Sequence, residues 1–425
     1  MKTVIKGGSI VLLDKTIVSD LLIQDGKIVE MANNIPSEGA SVIDATNKFV
    51  MAGFVDIHTH LREPGFAHKE TIETGTLAAV KGGVTAMACM PNTKPCIDNK
   101  VTLDFVLNTI KQKAHNKVYP VASTTKGQEC KELTDYGTLK EAGACAVSDD
   151  GRPTDNLRIL KNALLYAKEV GIPLLSHAED SQLSDKGDVH EGYYSTLTGL
   201  KGIPRASEDC AVAREIALCE SLDASIHFCH LSTQGAVRLV KEAKARGAKV
   251  TAETCPHYFA LDNRCIVDYN TRTKVSPPLR DESDKDAIIQ AIKEGVIDVI
   301  ATDHAPHHHD DKHCEYALAA FGISGIETSF AVSYTHLVKA NHISLNRLSQ
   351  LMSFNPSNLL GIGTPQIQVG ASADIVIVDT QKKWTVDPKQ FASKGKHTPF
   401  EGQELYGVVE CTLVDGVIKY QKNNK

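Results

Sequence analysis

The sequence predicts an α/β protein, a closed (β/α)8 TIM-like barrel with a small β-sandwich formed by the two chain ends. Three observations lead there. Between about residue 54 and residue 303 short apolar runs alternate with longer segments of helical periodicity, eight such runs can be counted, and both ends instead show alternating strands with Asp-Gly turns.

The amino-terminal stretches VIKGGSIVLLD and DLLIQDGKIVEM alternate apolar with polar residues and turn at Asp-Gly, the pattern of hairpins. The eight barrel runs follow: FVDIHTH (54–60), VTAMACM (84–90), KVYPVAS (117–123), ACAVSDD (144–150), PLLSHAE (173–179), SIHFCHL (225–231), KVTAETC (249–255) and VIDVIATDH (296–304). Between them, segments such as NLRILKNALLYAKEVG and QGAVRLVKEAKARG repeat apolar residues at helical spacing and close on glycine. The connections after the fifth and seventh runs are long, so both carry insertions. ADIVIVD and CTLVDGVIKY return to hairpin patterning near the carboxyl end. Neither end is long enough to bury a core comfortably. Residues 1–52 and 365–425 are therefore expected to join into one sandwich beside a barrel of residues 53–364.

Composition narrows the function. With 42% hydrophobic and 23% charged residues the chain falls in the soluble globular class, and no apolar run reaches the length of a membrane span. Charges interrupt the first twenty residues before a secretory core can form, which implies cytoplasmic residence. Eleven scattered cysteines without a CxxC pair suit reduced thiols. A net charge of -6 with no Lys/Arg block argues against a nucleic-acid partner, so an anionic ligand would need local cations.

His58 and His60 alternate on a strand and can share one ion. An isolated HxH fits one packed and one solvated histidine equally well. Position changes the weighing, because barrel enzymes build their sites at the carboxyl ends of the strands. Asp149 and Asp150 end the fourth run, His177 the fifth, His230 the sixth and Asp303 the eighth. Four imidazoles with two carboxylates suit a pair of zinc ions better than magnesium or calcium. Such a site lowers the pKa of a bridging water and polarises a carbonyl, as hydrolysis of an unreactive amide requires.

With these residues placed, the chain resembles the class I bacterial dihydroorotases of the amidohydrolase superfamily. AGFVDIHTHLREPG is followed by KETIETGT, GGVTAMACMPNTKP, SDDG, SHAED, CHLST, ETCPHY, PPLR, ATDHAPH and FGISGIET. The resemblance implies that His58 and His60 hold one zinc and His177 and His230 the other. Asp150 and a hydroxide would bridge them where related enzymes use a carboxylated lysine, with Asp149 as support for its loop and Lys126 outside the site. Asp303 would touch the first zinc and shuttle a proton. Arg62, Asn92 and His307 would bind a substrate carboxylate, and Ser276 stands where the family usually has asparagine. The implied reaction is the reversible cyclisation of N-carbamoyl-L-aspartate to L-dihydroorotate in pyrimidine biosynthesis. A homodimer and an association with aspartate transcarbamoylase are also implied. The alternatives are another cyclic amidase, such as allantoinase or dihydropyrimidinase, and a non-catalytic scaffold for aspartate transcarbamoylase. APHHHDDKH (305–313) reads as the start of a mobile lid with His308, His309 and His313 solvated, and Cys229 and Cys255 read as packing residues.

Overall fold

The computed structural model describes residues 2–363 and 365–422, so the first residue and the last three of the expected sandwich lie outside it. Strand β1 (Phe54–Thr59) is buried along its whole length, as a strand covered on both faces must be. It begins a parallel set: β2 (Val84–Cys89), β3 (Lys117–Ser123), β4 (Ala146–Ser148), β5 (Leu174–Ser176), β6 (Ser225–Phe228), β7 (Lys249–Thr254) and β8 (Val299–Ile300). These strands are hydrogen-bonded in chain order from β1 to β8. The ring closes where His60 N donates to His304 O at 2.9 Å, beside a parallel bridge between Thr59 and His304.

Every expected run contains a strand, but the paired portions at the fourth, fifth and eighth runs are only two or three residues long. The residues beyond them leave the ladder at the barrel mouth. There Arg62, His230 and Asp303 take φ values of 63, 37 and 46 degrees. This left-handed backbone is uncommon without glycine and is tolerated where surrounding structure enforces it.

Ala86 and Ala88 alternate with Met87 and Cys89, and the two pairs belong to different cores. The first pair joins Val55, Ile57, Val121 and Leu175, which fill the barrel, while the second joins helix residues such as Ile72, Leu103 and Leu160 outside it. The helices are cut by local chemistry: Thr71, Asn156 and Thr233 cap three of them, and Gly171 closes the second in the left-handed conformation.

The chain ends share a separate eight-stranded sheet. Its halves meet where Phe49–Ala52 pairs antiparallel with Ile375–Thr385 and parallel with Lys2–Val11. Ile5, Leu21, Val50, Ile375, Ile377 and Leu413 form its own core. All eleven cysteines are free, and among the described residues no helix is long and apolar enough to cross a membrane.

Phe330 ties sheet to barrel. Its ring stacks on Phe54 of β1 at 5.1 Å, and a Cβ on Gly407 would stand 2.9 Å from it. Phe330→Ala is expected to destabilise the protein by about 3–5 kcal/mol through lost burial and a residual cavity, read as a lower midpoint in urea unfolding.

Candidate metal centre and substrate pocket

Six side chains meet at the barrel mouth. Asp150, just beyond β4, lies at their centre: its Oδ1 is 3.2 Å from His58 Nε2, 3.4 Å from His230 Nε2 and 3.7 Å from His177 Nδ1, and its Oδ2 is 3.4 Å from His60 Nε2. Asp303 Oδ1 stands 3.1 Å from His60 Nε2 and 3.6 Å from His58 Nε2. The structure thus brings together all six residues in which the sequence places metal ligands. All are buried.

Two observations fit a cation here. Among the described residues, His58 Nε2 and Asp150 Oδ1 are buried without a hydrogen-bond partner although they face each other. The donor atoms of His58, His60 and Asp303, and those of His58, Asp150 and His230, also lie within 4.8 Å of one another. Burial alone would lower the proton affinity of His58, yet Asp150 and Glu253 raise it well above the ordinary histidine value. The anionic surroundings therefore favour positive charge at this point, which neutral imidazoles and a bound metal ion provide together.

Further side chains orient the ligands. Glu253 Oε1, at the end of β7, is 2.6 Å from His58 Nδ1, and its Oε2 is 3.2 Å from His227 Nε2. Despite burial, the charges and hydrogen bonds of His58 and His227 hold Glu253 far below the usual carboxylate range, so it stays ionised. A proton on His58 Nδ1 directed at this carboxylate leaves Nε2 free to ligate. Asn92 Oδ1 does the same for His60, accepting from Nδ1 at 2.8 Å. Asp149 accepts from Thr125 N at 3.1 Å and Thr125 Oγ1 at 2.5 Å, which anchors the loop carrying Asp150. Glu253 is missing from the sequence-derived site although it lies in the ETCPHY motif. Its signal was a carboxylate at a strand end, weakened because it touches a ligand rather than the cavity.

The cluster opens into a cavity of about 290 Å³ walled by His60, Arg62, Asn92, Ser276, Asp303 and Gly322, among others. Burial lowers the Arg62 guanidinium to about 10, opposed by Asp303 and Asp150, so it remains a cation at neutral pH. Its Nε donates to Pro306 O at 3.2 Å. His307 lies behind it, with Nε2 3.3 Å from Arg62 Nη2. Lys69 Nζ donates to His307 Nδ1 at 3.2 Å, which leaves Nε2–H to donate to Phe321 O at 2.7 Å. Burial and the charges of Arg62 and Lys69 push His307 down to about 2, so it is neutral. His307 braces the pocket without forming its wall. His308, His309 and His313 are exposed and Lys126 is solvated. Cys229 is buried within 4.8 Å of ligand atoms on His58 and Glu253, and burial keeps its thiol protonated.

A (β/α)8 barrel whose strand ends converge four imidazoles and two carboxylates on a polar pocket defines a hydrolase of the amidohydrolase superfamily. The family model described as Dihydro-orotase-like matches residues 47–236. The chain is 47% identical over 414 residues to a dihydroorotase of Acetivibrio thermocellus, covering 97% of each protein. It is 46% identical over 426 residues to a dihydroorotase of Thermoanaerobacter sp., covering 100% of this chain and 99% of the other. The crystal structure of dihydropyrimidinase from Brevibacillus agri superposes with a TM-score of 0.87 at 25% identity, covering 99% of this chain and 95% of that one. The chain belongs to the dihydroorotase family.

Glu253→Gln is expected to weaken metal binding about 10- to 100-fold by removing the charged partner of His58, measured by competition with a chromophoric chelator.

Proposed function

We propose that the protein is a zinc-dependent dihydroorotase, interconverting N-carbamoyl-L-aspartate and L-dihydroorotate. The observation that carries this reading is the juxtaposition of Arg62, a partly buried cation on the cavity wall, with the His/Asp cluster on the same wall. The guanidinium offers a forked pair of donors matched to a carboxylate. Dihydroorotate has a carboxylate on its ring and dihydrouracil has none. The pocket's chemistry therefore agrees with the names of the sequence relatives more closely than with those of the structural neighbours.

In this reading His58, His60, Asp150 and Asp303 would hold one zinc ion, and His177, His230 and Asp150 a second. Bound there, the ions supply a water that ionises near neutrality and polarise the carbonyl under attack. Arg62 and Asn92 orient the substrate carboxylate, and Ser276 offers a hydroxyl to the same space. Asp303 moves the proton. Close contact with His60, whose Nε2 is 3.1 Å away, and the neighbouring His58 keep its carboxyl below the usual range despite burial. It can therefore receive a proton and return it to the ring nitrogen, the event on which both directions of the reaction turn.

Asp303→Asn is expected to lower kcat by about a hundredfold or more while zinc content by atomic absorption stays close to wild type. Normal turnover in that variant would rule out the proton-transfer role. Arg62→Gln is expected to raise KM for dihydroorotate by about 10- to 100-fold, the value of a charge-assisted hydrogen bond. A variant that gained hydrolysis of dihydrouracil with no loss on dihydroorotate would favour the dihydropyrimidinase reading instead.

A further inference from the structure

The segment after β8, in which the sequence places a mobile lid, turns a lysine inward. Lys312 is only 2% exposed. Its Nζ donates to the carbonyls of Thr271 at 3.1 Å, Lys274 at 3.3 Å and Ala320 at 2.6 Å. The adjacent acid, Asp311, faces Lys69 at 3.2 Å and His307 at 3.6 Å instead. Burial, reinforced by the charge of Lys274, lowers the Lys312 amine to about 7. The amine is thus held by main-chain oxygens and not by a counter-charge.

Those oxygens lie on two different loops, one after β7 (271–274) and one after β8 (320). Lys274, also 2% exposed, makes the reciprocal connection. Its Nζ donates to Asp188 Oδ1 at 2.7 Å, Tyr316 O at 2.9 Å and Ala317 O at 3.0 Å, while Gly322 N donates to Lys274 O at 2.9 Å. The two lysines cross-stitch the loops immediately behind the substrate cavity.

What they hold is a wall of that cavity. Phe321 and Gly322 line it, and Phe321 O is the acceptor that fixes His307 behind Arg62. Gly322 has φ +128 degrees and packs so closely that a Cβ would meet Ala305 O at 2.6 Å. The peptide is wedged, with no slack to absorb a shift of residue 320.

We propose that Lys312 is a positioning residue for substrate binding: without touching substrate, its amine fixes the Phe321–Gly322 wall and, through the Phe321 carbonyl, the His307 ring packed behind Arg62. The proposal rests on reading the cavity as the dihydroorotate pocket. Its effect falls on binding more than on chemistry, because the His/Asp cluster has its own supports in Glu253, Asn92 and Thr125.

The test compares wild type with Lys312→Met, which keeps most of the length but no donor, and Lys312→Gln, which has the same reach as methionine and keeps two N–H donors. The assays are dihydroorotate kinetics, zinc content and amide hydrogen exchange on the zinc-loaded enzyme. Lys312→Met is expected to raise KM about tenfold with kcat within about threefold, and Lys312→Gln to fall between it and wild type. Zinc content should not change, and faster exchange should be confined to residues 268–276 and 314–323. A wild-type KM in either variant, or a parallel loss of kcat and zinc, overturns the proposal. If Lys312→Met does not fold, Lys312→Gln decides by the same criteria. Absence of dihydroorotate turnover by wild type would instead refute the functional reading, and the latch would then stand or fall on the exchange comparison.

Discussion

A carboxylate ringed by four imidazoles inside a protein is the constraint on which the rest of this structure depends. Asp150 lies within 3.7 Å of a ring nitrogen from each of His58, His60, His177 and His230. Unpaired charge is costly in a low-dielectric interior, so such a group persists only with compensating positive charge and well-oriented donors. The closed barrel supplies the orientation. Its seam between β1 and His304 brings the HxH motif beside Asp303, and the strained backbone at His230 and Asp303 turns those side chains toward the same point.

The supporting groups form two regions of opposite electrostatic character. Around the ligands, Glu253 and Asn92 accept hydrogen bonds from histidine Nδ1–H groups, which leaves the opposite ring nitrogens free. At the pocket rim Arg62 remains cationic, and behind it burial and the charges of Arg62 and Lys69 keep His307 neutral. The rim is therefore suited to an anion while the centre is suited to cations. A dihydroorotate ring has an electrophilic carbonyl at one end and a carboxylate at the other, and it matches that division.

Comparison by shape and comparison by sequence single out relatives of different names. The barrel superposes on a dihydropyrimidinase with a TM-score of 0.87, whereas the full-length relatives at 46–47% identity are dihydroorotases. A fold fixes where a site is built and leaves the chemistry to the side chains on its loops. In the proposed reading the discriminating side chain is Arg62, on the loop after β1, whose guanidinium can pair with the ring carboxylate that dihydrouracil lacks.

The sequence by itself determined the barrel and the candidate ligands, because both are local in origin. Strand periodicity, glycine-closed helices and the placing of histidine or aspartate at strand ends are each visible within a few residues. The eight runs and all six ligand candidates were legible for that reason. Strand position alone leaves Asp149 and Asp150 open; the family resemblance assigns Asp150 to the centre, and the tertiary structure shows the distances that separate the two. Asp149 and Asp150 are neighbours in sequence, and Asp150 faces the histidines while Asp149 faces Thr125. Only the tertiary structure decided that Glu253 orients His58, that His307 stands behind Arg62, and that Lys312 is buried under the loop the sequence reads as a lid. These roles depend on distances between segments remote in the chain, such as the 195 residues between His58 and Glu253, and no local pattern encodes them.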